Sequence, residues 1–155
     1  MEIERKFLIP KDHLPDGYDS YPCQVIEQGY LCTNPVVRIR RSNDTYYLTY
    51  KSGGLLAREE ENLPLTAESY AHLRAKVDGL IIAKRRYVIP EKDGLSIELD
   101  VFESPYEGLY LAEVEFPSKE AALAYQPPEW FGEEVTYTAA YQNSRLSKGV
   151  KLPEE

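Results

Sequence analysis

Like charges recur two residues apart along segments whose intervening residues are mostly apolar, and this pattern constrains the fold more than any other. The pairs are Glu2 and Glu4, Arg38 and Arg40, Lys84 and Arg86, Glu98 and Asp100, and Glu113 and Glu115. Lys6 continues the first series, and Thr49 and Lys51 form a further polar pair. In a strand, residues i and i+2 point to one face, about 6.5–7 Å apart. The opposite faces carry Ile3, Phe7 and Ile9; Val37 and Ile39; Ile97, Leu99 and Val101; and Ala112, Val114 and Phe116. A solvated face of an antiparallel sheet explains any one of these strands. It explains all five poorly, because a solvated face mixes signs and includes Thr, Ser and Gln. Neighbouring like charges cost stability unless something bridges them. A divalent cation bridges carboxylates, and oxygen-only ligands favour Mg²⁺ or Mn²⁺ over Zn²⁺. A polyphosphate bridges basic pairs, with arginine forks binding in two places and lysines acting as point charges. If the sheet closes with its apolar face outward under helices, these charges line a polar lumen.

The same period-2 alternation predicts strands over residues 2–9, 36–40, 46–51, 80–89, 95–102 and 109–116. Turn chemistry separates them at Ser42-Asn43-Asp44, Ser52-Gly53-Gly54, Lys92-Asp93-Gly94 and Tyr106-Glu107-Gly108. Three helices are expected. Thr66 caps one that carries Tyr70, Leu73 and Val77 on one face and ends at Gly79. Ser118 caps a short one stopped by Pro127-Pro128, and a third covers about residues 138–146. Hairpin-spaced strands with few helices predict a mainly β (α+β) fold, an antiparallel sheet closed or strongly curled into a barrel. The length, 155 residues, suits one domain spanning 1–155.

Composition narrows the partners. Twenty-six acids against 18 bases give a formal charge of −8, which speaks against binding extended nucleic acid through bulk charge. The charge is uneven: residues 1–90 carry 12 acids and 13 bases, whereas residues 91–155 carry 14 acids and 5 bases. No apolar run approaches the ~20 residues of a membrane span, and no signal peptide opens the chain. Cys23 and Cys32 read as reduced thiols, so a cytoplasmic location is expected. His13 lies in a Pro- and Asp-containing connection and His72 on a helix, both read as solvated. Trp130 and Tyr141 read as packing residues.

The ordered series ExExK, RxR, TxK, KxR, ExD and ExE, with Glu134-Val135-Thr136 and a terminal Tyr/Asn-containing helix, resembles the CYTH superfamily, the triphosphate tunnel metalloenzymes, over residues 2–146. The resemblance implies an eight-stranded antiparallel closed barrel that binds a triphosphate and one or two divalent metals. It implies that Lys6, Arg38, Arg40, Lys51, Lys84 and Arg86 contact triphosphate oxygens. Glu2, Glu4, Glu113, Glu115 and Glu60 would hold Mg²⁺ or Mn²⁺. Glu4, Lys6, Glu98 and Asp100 are the candidate catalytic residues, with Glu98 and Asp100 near a second metal or the attacking water. Leu63 and Leu65 should face outward with Glu59 and Glu61, leaving Glu60 and Asn62 inside; family members often carry a carboxylate where Asn62 stands. Pro64 should end that strand.

Phosphoryl transfer needs charge neutralisation, alignment and an oriented nucleophile, all of which such a lumen supplies. Hydrolysis of inorganic tripolyphosphate to pyrophosphate and phosphate is the expected activity, since no aromatic–polar pocket for a base is evident. Thiamine triphosphate hydrolysis and ATP cyclisation are the enzymatic alternatives. A polyphosphate- or nucleotide-binding barrel, or a plain solvated one, are the non-enzymatic ones. A homodimer is compatible with the resemblance. Seven lumen acids and six lumen cations give a local charge of −1 in place of the overall −8.

Overall fold

The computed structural model describes residues 1–53 and 56–149. Gly54 of the expected Ser52-Gly53-Gly54 turn and residues 150–155 of the expected domain lie outside them. Among the described residues nine strands form one sheet: β1 (Glu2–Leu8), β2 (Cys23–Thr33), β3 (Val36–Ser42), β4 (Thr45–Lys51), β5 (Ala57–Arg58), β6 (Glu60–Pro64), β7 (Asp78–Pro90), β8 (Ser96–Phe102) and β9 (Tyr110–Glu115). Their order is β5-β1-β9-β8-β7-β2-β3-β4-β6, and every pairing is antiparallel. Only Glu59 separates β5 from β6, so both ends of the sheet belong to one segment. That segment pairs with β1 and then, after a kink, with β4. The sheet thereby nearly closes into a barrel, and the switch of partner at Glu59 is why nine strands stand where eight are expected. Pro64 is the last residue of β6, as a residue without an amide donor requires.

The sequence reading omits β2. Its eleven residues include Gln24, Glu27, Gln28 and Gly29 among apolar ones, so neither face carries a clean alternation. It is nevertheless a long stave between β3 and β7.

Two apolar clusters hold the barrel. The outer one packs Ile3, Phe7, Ile97, Leu99, Ala112 and Val114 beneath Ala122, Tyr125 and Phe131, as the apolar strand faces predict. Helix α2 (Lys119–Ala124) sits there, capped by the Ser118 hydroxyl, which accepts from the Ala121 amide. Arg5 donates to the carbonyls of Ala122 and Tyr125 at 2.8 and 3.1 Å and pairs with Glu134 at 2.7 Å, tying α2 to the strap at residues 132–136. That strap covers the free edge of β1: Leu8 donates to Glu133 and Val135 to Lys6, both at 2.8 Å. Trp130 packs edge-on against Phe131, ring centres 4.7 Å apart.

The second cluster lies on the charged face. Leu8, Ile82, Phe102 and Leu111 continue the inward series of Lys6, Lys84, Asp100 and Glu113, and meet Val135, Tyr141 and Leu146. The inner face is therefore apolar at one end, and the chain's last described segment plugs the lumen there. The helix expected over 138–146 is broken. A 3₁₀ turn, Ala139–Tyr141, is followed by extended Gln142 and a four-residue α3 (Asn143–Leu146).

Helix α1 (Ala67–Arg74) is capped by Thr66 in a reciprocal box with Ser69. It packs on β3 and β4, with Tyr70 against Tyr46 and Arg74 pairing with Glu27 at 2.7 Å. The helix stops at Arg74, short of Gly79, which is instead the second residue of β7. Gly79 has φ +81°, and a Cβ there would lie 2.2 Å from the Ser147 carbonyl oxygen. That carbonyl accepts from the Leu80 amide at 2.6 Å, so the plug is docked where only glycine fits. Gly79→Ala should cost about 1–3 kcal/mol in denaturant unfolding; an unchanged midpoint would show that the plug does not depend on this approach. Among the described residues no helix is long and apolar enough to cross a membrane.

Candidate active site

The inward face of the barrel encloses a cavity of about 280 Å³. Of the residues singled out in the sequence, Glu2, Glu4, Lys6, Arg38, Arg40, Lys51, Glu60, Arg86, Glu98, Glu113 and Glu115 line it. Period 2 brings them there: each is an inward residue of β1, β3, β4, β6, β7, β8 or β9. The charged face is not a solvated one, since Lys6, Arg38, Arg40, Lys51, Arg86 and Glu113 are buried. Lys84 and Asp100 are not on the cavity wall. Both are 0% exposed, 2.6 Å apart, one step deeper toward the apolar plug. Lys84 also donates to Asn143 Oδ1 at 3.4 Å.

Cross-strand register arranges the charges. Arg86 faces Asp100 across β7 and β8 and is held through Nε and Nη2 at 2.7 and 2.9 Å, with Glu98 at 3.3 Å. Lys6 faces Glu113 and lies 3.4 Å from it. Lys51 bridges Glu2 at 2.9 Å and Glu60 at 3.6 Å. Carboxylates also face one another, Glu4 with Glu115 and Glu98 with Glu113, an unfavourable arrangement on its own. Arg38 and Arg40 differ from the other cations: among the described residues neither has a carboxylate within salt-bridge distance. Arg38 donates to Thr49 at 3.3 Å, and Arg40 is held by Gln28.

The electrostatic consequences follow. Burial, then the charges of Glu113 and Glu2, push Glu4 up to about 8. Burial also raises Glu98. Burial and a hydrogen bond with Glu60 raise Glu2. For Glu60 burial acts upward but is outweighed by the bond with Glu2 and the Lys51 charge, which pull it down to about 2. Glu113 and Asp100 stay low despite burial, Glu113 beside Lys6 and Arg86, Asp100 beside Arg86 and Lys84. Burial lowers Lys84 to about 7 although Asp100 opposes this.

The carboxylate set suits a hard divalent cation. Its donors are all oxygen, they crowd one wall, and burial beside the charges of Glu113 and Glu2 keeps Glu4 protonated although Arg58, Lys51 and Lys6 are near. Among the described residues no three acidic, histidine or cysteine side chains already form a metal cage. Cations hold the carboxylates apart: Arg58 lies 3.5 Å from Glu2 and 3.8 Å from Glu4.

Sequence reading left several lining residues unassigned: Arg58 on β5, Gln24 and Tyr30 on β2, Tyr47 on β4, and Gln142 and Asn143 at the plug. Arg58 was accessible in principle, as it continues the two-residue step through Glu60 and Asn62. Adding Arg58 brings the expected lumen charge of −1 to zero. Asn62 lies inward as expected, accepting from Thr49 at 2.6 Å and donating to Glu60 at 3.0 Å. His13 and His72 are exposed, and Cys23 and Cys32 are free thiols.

Known proteins share this architecture. The inorganic triphosphatase of Nitrosomonas europaea is 39% identical over 152 residues, covering 96% of this chain and 98% of that protein. That of Acetivibrio thermocellus is 36% identical over 152 residues, covering 95% and 93%. A solved inorganic triphosphatase structure aligns with a TM-score of 0.71 at 36% identity, covering 99% of this chain and 97% of that one. The CYTH domain matches residues 1–148, with the paired inward charges of β1, β3, β7, β8 and β9 inside that span, and the chain belongs to the CYTH domain family.

Proposed function

We propose that the protein is a divalent-metal-dependent triphosphatase that hydrolyses inorganic triphosphate to pyrophosphate and phosphate. One observation carries this reading. Arg38 and Arg40, which have no carboxylate partner among the described residues, stand on β3, four strands from β9 in either direction around the barrel when β5 and β6 count as the one segment they are. They therefore face the wall of Glu4, Glu113 and Glu115 across the cavity. A triphosphate lying between the two walls satisfies both: arginine forks on one side, a cation held by carboxylates on the other. The cavity size and lining favour an inorganic chain, because Val36, Tyr30 and Tyr47 are the main apolar or aromatic groups among otherwise charged and amide side chains. The full-length relatives named inorganic triphosphatase support the same choice.

In this reading Glu2, Glu4, Glu60, Glu113 and Glu115 hold Mg²⁺ or Mn²⁺. The ion, when bound, offsets phosphoryl charge and lowers the pKa of water. Lys6, Arg38, Arg40, Lys51 and Arg86 align the chain and offset its charge during in-line displacement. Glu98, raised by burial and 3.3 Å from Arg86, orients the attacking water. Asp100 and Lys84 support the site from below, Asp100 by fixing the plane of the Arg86 guanidinium.

Phosphate release from tripolyphosphate, ATP and thiamine triphosphate, each with Mg²⁺ and with Mn²⁺, tests the assignment. Release from tripolyphosphate should be fastest and should vanish with a chelator; no release under any condition would overturn it. Arg40→Ala should raise KM for tripolyphosphate by about tenfold or more. Its unfolding midpoint should not fall, because removing one buried cation relieves repulsion from Arg38 and Arg86. Wild-type kinetics in this variant would remove Arg40 from the binding wall.

A further inference from the structure

We propose that Gln28 is a positioning residue that aims the Arg40 guanidinium into the cavity without cancelling its charge. The proposal rests on the triphosphatase reading and adds a residue outside the charged series. Gln28 lies on β2 directly opposite Arg40 on β3 and is 0% exposed. Its Oε1 accepts from Arg40 Nε at 2.8 Å and also from Nη2. Its Nε2 has no hydrogen-bond partner among the described residues, and its neighbour on β7 is buried Ile82.

Chemistry sets the orientation of this amide. Turned over, it would point N–H groups at the N–H groups of the guanidinium and leave Arg40 Nε without this acceptor. A buried donor without a partner costs free energy. The fold tolerates that cost at Nε2, so the oxygen is what the position provides. Of the five guanidinium N–H groups, Gln28 occupies two. To the remaining three, both on Nη1 and one on Nη2, Tyr47, opposite Arg40 on β4, offers a hydroxyl rather than a carboxylate, and the others are left for further acceptors.

Two arginines of this cavity are thus held in two ways. Arg86 is gripped by Asp100, whose charge neutralises it at 2.7 and 2.9 Å. Arg40 presents the same two nitrogens, Nε and Nη2, to a single neutral oxygen. Burial, then the charges of Arg38 and Arg86, lower its pKa to about 10 although Tyr47 opposes this, so it remains protonated at neutral pH. A buried, fixed and uncompensated guanidinium attracts an anion far more strongly than one already paired. Glutamine is the side chain of this reach that orients without neutralising. Glutamate would neutralise, and methionine would leave Arg40 unguided.

The test compares wild type, Gln28→Glu and Gln28→Met as full chains with Mg²⁺. Initial rates of phosphate release over a range of tripolyphosphate concentrations are measured beside denaturant unfolding without substrate. Gln28→Glu should raise KM by about tenfold or more, the worth of a charge-assisted bond, while its unfolding midpoint holds or rises. Gln28→Met should raise KM by a smaller factor. Opposite movement of affinity and stability in Gln28→Glu is the result a merely structural glutamine cannot give. Wild-type KM in Gln28→Glu, or a KM that worsens only in step with lost stability, overturns the proposal. If Gln28→Glu does not fold, Gln28→Met decides, and an unchanged KM there overturns it. Wild type that neither binds nor hydrolyses tripolyphosphate overturns the triphosphatase reading and this inference together, and that failure is seen before any variant is compared.

Discussion

Asp100→Ala is expected to lose about 3–5 kcal/mol of unfolding free energy, the range for removing one partner of a buried ion pair. Asp100 is fully buried and compensates two cations, Lys84 at 2.6 Å and Arg86 at 2.7 Å. Without it neither has an equivalent partner. Lys84, already lowered to about 7 by burial, can release its proton and escape part of the cost. Arg86 cannot, since guanidinium stays charged at any accessible pH, and Glu98 at 3.3 Å offers one weaker contact. Asp100→Asn keeps the shape and loses the charge, so its loss should be smaller. Equilibrium denaturation followed by circular dichroism measures both. Asp100 is held below its ordinary value of 3.8, so its contribution is present above that pH and disappears as pH falls through the lower folded value. The gap between wild type and variant should therefore persist at neutral pH and narrow only in acid. An unfolding midpoint equal to wild type would show that these ion pairs do not hold the inner face together.

Much of the site was legible because strand geometry makes one face a two-residue step, and charge on that step is readable without partners. Glu2, Glu4 and Lys6, or Arg38 and Arg40, reveal their common direction within five residues of chain. The outer core was legible for the complementary reason: Ile97, Leu99 and Val101 alternate with the charges. What the step cannot show is depth along the lumen. Lys84 and Arg86 look equivalent in sequence, yet one lies under the floor and the other on the wall, because Phe102 faces Lys84 while Asp100 faces Arg86. Leu8, Ile82, Phe102 and Leu111 complete the inner face with apolar residues, and only the three-dimensional closure brings Tyr141 and Leu146 onto them. Strand β2 was illegible for a local reason. Gln24, Ile26 and Gln28 point inward between two arginine-bearing strands, so its inner face is mixed and its function depends on neighbours far away in the chain. Gly79 was read as a helix stop because glycine commonly ends helices; here the Ser147 carbonyl, 68 residues later, demands it.

Glu4→Gln should lower metal-dependent phosphate release by about a hundredfold or more, since it removes a proposed ligand outright and not merely its outer support. The same change should improve the metal-free protein at alkaline pH. Glu4 titrates near 8 in the folded chain against an ordinary 4.5, so between those values the folded state binds a proton that the unfolded state has released. Wild-type stability in chelator should then fall as pH rises through that window, with the loss complete above about pH 8. Glutamine carries no proton to lose, and this contribution should be flat. Glu2 and Glu98 are also raised; because the charges of Glu2 and Glu113 act on Glu4, the difference between wild type and variant reports Glu4 together with its coupling to them. The two proteins should have similar stability near pH 4, with the variant ahead at pH 9. Metal binding inverts the relation. A divalent cation displaces the Glu4 proton, so Mg²⁺ affinity in the wild type should climb with pH up to about 8 and level off beyond it. Calorimetry in two buffers of different ionisation heat would detect the released proton, which the variant should not release from this position. Full turnover by Glu4→Gln would remove Glu4 from the ligand set. Lost turnover with unchanged Mg²⁺ affinity and proton release would instead assign it to the phosphoryl chain, its water or the placement of Arg58, 3.8 Å away.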